Sequence, residues 1–129
     1  MADPIRMLLC DDAAPLRALY RVVFEAEPDF EVVGEAGDGR TGVAVTEQLQ
    51  PDVVLLDIAM PVMDGLDAIP AMRAAAPDAV IVMCTAMMDP RVRARALELG
   101  ATTFVEKVTD PRALVQQVRD AARRAHVAA

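Results

Sequence analysis

Asp11, Asp12, Asp57, Thr85 and Lys107 are set apart by where they fall. Each comes at the end of an apolar run: "IRMLLC" (5–10), "DVVLLD" (52–57), "AVIVMCT" (79–85) and "TTFVEK" (102–107). Carboxylates crowded together repel and raise one another's pKa unless a cation joins them. Ligands that are all oxygen favour a hard divalent ion, and Mg²⁺ is the common choice beside phosphates. Lys107 adds a mobile positive charge, and Thr85 a hydroxyl that donates a hydrogen bond. Around one further carboxylate these groups describe a site for a phosphoryl group. Asp57 is the nucleophile in that reading, with metal and lysine stabilising charge on the transferring oxygens.

The elements that must position these residues alternate. The runs above, with "FEVVGEA" (30–36), are Val/Ile/Leu-rich and apolar on consecutive positions, as strands are when both faces are covered. Helical patterns lie between them. Leu16, Leu19, Tyr20 and Val23 recur at helical spacing, with Arg17 and Arg21 on another face. "GRTGVAVTEQLQ" (39–50) reads as a weaker helix carrying Gly42. "GLDAIPAMRAAAP" (65–77) puts Leu66, Ile69 and Met72 on one side, and Pro70 inside it should kink the helix or delay its start. In 89–100, Asp89 caps, Pro90 takes the first helical position and Gly100 stops the helix. A second Asp-Pro opens 110–125, with Leu114, Val118 and Ala121 inward. Strand-helix repeated five times predicts right-handed βαβ units and a three-layer α/β sandwich. Ligands of such sheets bind beyond the carboxyl ends of the strands, which is where the five polar residues gather.

Composition narrows the function. With 129 residues, one domain over 1–129 is expected: core strands and helices over 5–107, a final helix over 110–125, and 126–129 as a tail or the start of a linker. Twenty acids against 13 Lys and Arg leave a charge of −7, so no basic nucleic-acid footprint is expected. Arg91, Arg93 and Arg95 read as a solvated helix face. Cys10 and Cys84 read as buried free thiols in a reducing compartment. His126 falls near the terminus and reads as a surface residue. No apolar run reaches the roughly 18 residues of a membrane helix, so a cytoplasmic protein is expected.

Taken together, "CDD" (10–12), "LLDIAMPVMDG" (55–65), "CTA" (84–86) and "FVEK" (104–107) resemble the receiver domain of bacterial two-component response regulators, the CheY-like family, in order and spacing over essentially the whole chain. "EVVGEAGDG" and "FVEKVTDPRALVQQV" look closest to the NarL/LuxR-type receivers. The resemblance implies a doubly wound flavodoxin-like fold with five parallel strands in the order 2-1-3-4-5 and five helices. It implies that Asp57 accepts a phosphoryl group from a sensor histidine kinase or phosphotransfer protein. Asp12, Asp57 and the backbone carbonyl of Ala59 would bind Mg²⁺, with Asp11 acting through water, while Thr85 and Lys107 contact the phosphoryl oxygens. Thr85 and Phe104 would form a switch. Its readout would be a changed affinity for an output partner, or a phosphorylation-dependent homodimer, at the surface of the fourth helix, fifth strand and fifth helix around Arg95, Phe104 and Val115. Neither nucleic acid nor membrane would be contacted by this domain itself. Ala59 and Met87 would flank the path of attacking water, and neither can orient it.

One departure is Val108 after Lys107, where many members have proline; a cis bond there is not expected. A rival reading is an Asp-nucleophile, Mg²⁺-dependent phosphatase of haloacid-dehalogenase type. Such enzymes typically carry a second Asp two residues after the nucleophile, where this chain has Ala59.

Overall fold

The Val/Ile/Leu-rich runs form five strands, β1 (Ile5–Cys10), β2 (Phe30–Ala36), β3 (Val53–Asp57), β4 (Val80–Thr85) and β5 (Thr103–Glu106). They alternate with α1 (Ala14–Glu25), α2 (Gly39–Leu49), α3 (Gly65–Ala75), α4 (Pro90–Leu99) and α5 (Pro111–Ala128). The structure is a computed structural model and describes residues 3–86, 89–107 and 110–128. All pairings are parallel and the strand order is β2-β1-β3-β4-β5, the doubly wound order expected. Such a sheet is covered on both faces, and every residue of β3 and β4 is buried.

Two apolar layers result. One lies between the sheet and α1/α5, around Leu9, Phe24, Leu55, Val82 and Leu114; the other lies towards α3 and α4, around Leu56, Ile69, Met72, Met83 and Phe104. Burying side chains of this kind stabilises by roughly 1.5–3 kcal/mol each. On the first layer Phe24 meets Phe30 edge-on at 5.1 Å. Arg119 of α5 closes that end of the layer. It donates two hydrogen bonds to Asp29, at 2.6 and 2.9 Å, and stands over the Phe30 ring. On the other side Arg73 of α3 donates to the carbonyls of Ala79 and Gly100, tying the roots of β4 and α4 together.

Four expectations shift. In α1 the inward positions are Tyr20 and Phe24, with Leu16 and Val23 half-buried, whereas Leu19 is 47% exposed. Leu19 completes the periodic set in sequence, but the helix is rotated so that Phe24 takes the core. Pro70 does not delay α3, which starts at Gly65; Asp64 caps it by accepting from the Asp67 amide, and Pro70 itself is exposed. The final helix runs to Ala128, past the end at 125 expected from the sequence. Val115 and Phe104 are both buried, so neither belongs to an exposed face. Asp89 and Gly100 bound α4 as expected, with Gly100 in the left-handed region at φ 119°, and Arg91, Arg93 and Arg95 are exposed. Cys10 and Cys84 are buried free thiols. Met87, Val108 and the side chain of His126 lie outside the described residues. No helix among the described residues is long and apolar enough to cross a membrane.

Candidate functional site

β1 and β3 are neighbours in the middle of the sheet, so the acids that follow them converge at one edge. One carboxylate oxygen from each of Asp11, Asp12 and Asp57 lies within 4.8 Å of the others. Asp11 and Asp57 are buried and Asp12 is exposed. Lys107, just past β5, reaches across from the far side. Its Nζ lies 3.0 Å from Asp11 Oδ2 and 3.2 Å from Asp57 Oδ1. The Lys107 amide donates to the Thr85 carbonyl at 2.6 Å, which fixes where the side chain begins.

The electrostatics follow from that crowding. Burial, then the charge of Asp11, pushes the Asp57 carboxyl above its ordinary range, opposed by Lys107 and by the Ile58 amide that donates to Asp57 Oδ1 at 2.9 Å. For Lys107, burial works against the charged form, but the hydrogen bond to Asp11 and the charges of Asp57 and Asp11 outweigh it, and its pKa is raised. A lysine that stays protonated between two carboxylates, with a third acid at the rim, leaves an excess of negative charge. The all-oxygen acidic donors fit a hard divalent cation on charge and on chemistry.

Thr85 ends β4 and is buried; its in-register neighbour is Glu106. Phe104 pairs with Met83 two residues earlier, and the alternation of strands puts it on the same sheet face as Thr85. Ala59 is exposed in the loop after Asp57. That loop is held by its backbone. The Gly65 amide donates to the Ile58 carbonyl at 2.7 Å, and the Gly39 amide to the Met63 carbonyl at 2.8 Å. A Cβ on Gly65 would stand 2.1 Å from the Asp57 carbonyl oxygen, so the start of α3 can lie against the end of β3 only because no side chain is there.

Val62, at the tip of the loop, has φ 68° and is 73% exposed. A β-branched residue in the left-handed region is strained by ~1–2 kcal/mol. Asparagine tolerates that region, and little packing is lost at this exposure. Val62→Asn should therefore raise the unfolding free energy by about 1 kcal/mol, read as a higher urea midpoint at unchanged slope. A lower midpoint would show that the valine makes a contact worth more than its strain.

Two residues of the site were named in the sequence only as helix-pattern positions. Tyr20 and Cys84 lie beneath the acids, and burial pushes the Cys84 thiol up to about 12. A cavity of about 10 Å³ lies there, bordered by Tyr20, Asp57 and Cys84. Arg17 donates from Nη1 to the Asp11 carbonyl at 2.5 Å.

A family model described as the response regulator receiver domain matches residues 7–119. The chain belongs to that family. This receiver domain is 41% identical over 93% of its length to a protein-glutamate methylesterase/protein-glutamine glutaminase of Moorella thermoacetica, of which it spans only 30%. It is 37% identical to the chemotaxis protein CheY of Thermotoga maritima, covering 86% of this chain and 92% of that one. The signal receiver domain of the putative response regulator NarL from Mycobacterium tuberculosis superposes with a TM-score of 0.88 at 30% identity, over 95% of this chain and 98% of the other. The receiver domain thus belongs to two-component signalling, has the CheY-like fold, and has NarL-type receivers among its structural neighbours. The family assignment lends no support to the phosphatase reading.

Proposed function

We propose that this receiver domain is a phosphorylation-dependent switch in which Asp57 is the phosphoacceptor. The observation that carries the reading is the Lys107 ammonium held 3.2 Å from Asp57 and 3.0 Å from Asp11, beside a third carboxylate. Asp12, Asp57 and the Ala59 carbonyl would hold Mg²⁺, with Asp11 acting through water. The ion supplies charge neutralisation on the transferring oxygens. An Asp57 oxygen attacks phosphorus of a phosphohistidine or a small acyl phosphate; the new O–P bond forms as the bond to the leaving group breaks, and that group departs with the electron pair. Lys107 turns from a carboxylate partner into a partner of the phosphoryl oxygens, and the Thr85 hydroxyl donates to them. Thr85 and Phe104 share a sheet face, so a shift of the hydroxyl is felt where Phe104 packs against α3 and α4; this biases two packings of the α4-β5-α5 side. Arg95 and Glu106 are exposed constituents of that side, and an output partner or a second phosphorylated copy would read it. The phosphoryl donor would be a sensor histidine kinase or a phosphotransfer protein.

Incubation with acetyl phosphate and Mg²⁺ should place a single acid-labile phosphate on the Asp57 peptide, found by mass spectrometry. Sustained hydrolysis of a phosphomonoester, or label elsewhere, overturns the proposal. The metal assignment has its own test. Asp12→Ala should weaken Mg²⁺ binding by ~10-fold or more, because carboxylate charge sets affinity, while Glu47→Ala, a change at an exposed residue of α2, leaves it unchanged. Equal affinities in titration calorimetry count against Asp12 as a ligand.

A further inference from the structure

Among the described residues, Arg17 is the one cation whose side chain hydrogen bonds to the backbone of the acidic pair, whereas Lys107 meets carboxylate oxygens. It stands one turn into α1, and its side chain is only 20% exposed. Nη1 donates to the carbonyl of Asp11, the peptide that joins Asp11 to Asp12, at 2.5 Å. The guanidinium is itself aimed from β2: Nε donates to Glu35 Oε1 at 3.1 Å, and Arg21 holds Glu35 from the other side, donating from Nε to Oε2 at 2.7 Å. The loop is further defined by the Ala13 amide donating to Asp11 Oδ1 at 2.9 Å and the Asp11 amide donating to the Ala36 carbonyl at 3.0 Å. Both the amide and the carbonyl of Asp11 are therefore fixed from the β2 side, the first by backbone and the second by the Glu35–Arg17 arm. Asp12 is exposed, and its side chain has no hydrogen-bond or ion-pair partner among the described residues, so the peptide before it is what orients it.

We propose that Arg17, aimed by Glu35, is a positioning residue for the metal site: it holds the Asp11–Asp12 peptide so that the Asp12 carboxylate points at the cation. The inference rests on the Mg²⁺ reading above. It makes a prediction of unusual sign. A positive side chain beside an acidic cluster repels a divalent cation, so charge alone predicts that removing Arg17 tightens Mg²⁺ binding. Positioning predicts the reverse, because an unbraced peptide lets Asp12 wander. Groups behind a metal's direct ligands typically change affinity by about tenfold or more when removed.

Titration calorimetry of Mg²⁺ on the full chain decides. Arg17→Ala should weaken binding by about tenfold at a temperature where circular dichroism shows it folded. Arg17→Lys can still reach one acceptor but cannot bridge Asp11 and Glu35 together, and should recover part of the loss although its charge is native. Glu35→Gln keeps Arg17 while loosening its aim, and serves as the second variant should Arg17→Ala fail to fold; it too should weaken binding. Unchanged or tighter binding in Arg17→Ala, or in Glu35→Gln if only that variant folds, overturns the inference. No Mg²⁺ binding by the native chain would instead sink the metal reading itself.

Discussion

Asp57→Asn should take up no acid-labile phosphate under conditions expected to label the native chain, and it should be no less stable in metal-free buffer. An amide oxygen of near-identical shape can still accept from Ile58, so the loop keeps its anchor. The amide has no anionic oxygen to attack phosphorus, so the loss of label should be complete. Stability follows the sign of the pKa shift. The Asp57 carboxyl is raised above 3.8 by burial and by Asp11, so the folded state holds its proton more tightly than the unfolded chain does. The contribution of Asp57 to native stability is thus lost as pH rises through the window from 3.8 up to that raised value. Above the window the neutral variant is equal or more stable; below it the two converge. Lys107 limits the gain, since the variant removes one of its two carboxylate partners. Urea unfolding in chelator across this pH range, with intact-mass analysis at neutral pH, checks both halves. Undiminished phosphate on the variant removes Asp57 as the acceptor.

Gly65→Ala carries the largest expected loss of stability. Its Cβ would lie 2.1 Å from the Asp57 carbonyl oxygen and 2.9 Å from the carbonyl carbon, both backbone atoms that cannot swing aside. Relief requires α3 to move away from the end of β3, and that breaks the 2.7 Å bond from the Gly65 amide to the Ile58 carbonyl. Overpacking of this kind costs typically 1–3 kcal/mol and here should reach about 3 or more. The same displacement moves the Asp57 backbone, so labelling by acetyl phosphate should slow even where the variant is fully folded. A change within about 0.5 kcal/mol, the range of an ordinary surface substitution, would mean that the contact relaxes at no expense to the fold.

Most of the architecture could be read from the sequence because each strand is a continuous apolar run and several helices carry polar signals at their ends. Asp89 and Gly100 bound α4 within a residue of the expectation. The strand order came from the family resemblance, since alternation alone does not distinguish one doubly wound order from another. Periodicity failed where two neighbouring stripes were equally apolar: Leu16, Leu19, Tyr20 and Val23 describe a helix face, and so do Leu16, Tyr20, Val23 and Phe24, which the protein uses. Val115 was misplaced for a similar reason, lying beside the inward Leu114 on a helix that buries a wide stripe. Asp57 and Lys107 were legible because charged side chains at strand ends are costly unless they meet. The arm through Arg17 was not, because its acceptor is a backbone carbonyl, which every residue carries. The left-handed turn at Val62 was equally silent, since its residue type argues against that conformation.

Tyr20 borders the small cavity beneath Asp11 and Asp57, and the chain has no tryptophan and no other tyrosine. Its tyrosine emission therefore originates at one ring, within reach of the field of Asp11 and Asp57. A cation arriving at the carboxylates, or a phosphoryl group on one of them, changes the charge above that ring without the need for an attached dye. Stopped-flow tyrosine fluorescence should therefore report the proposed loading of the site in real time.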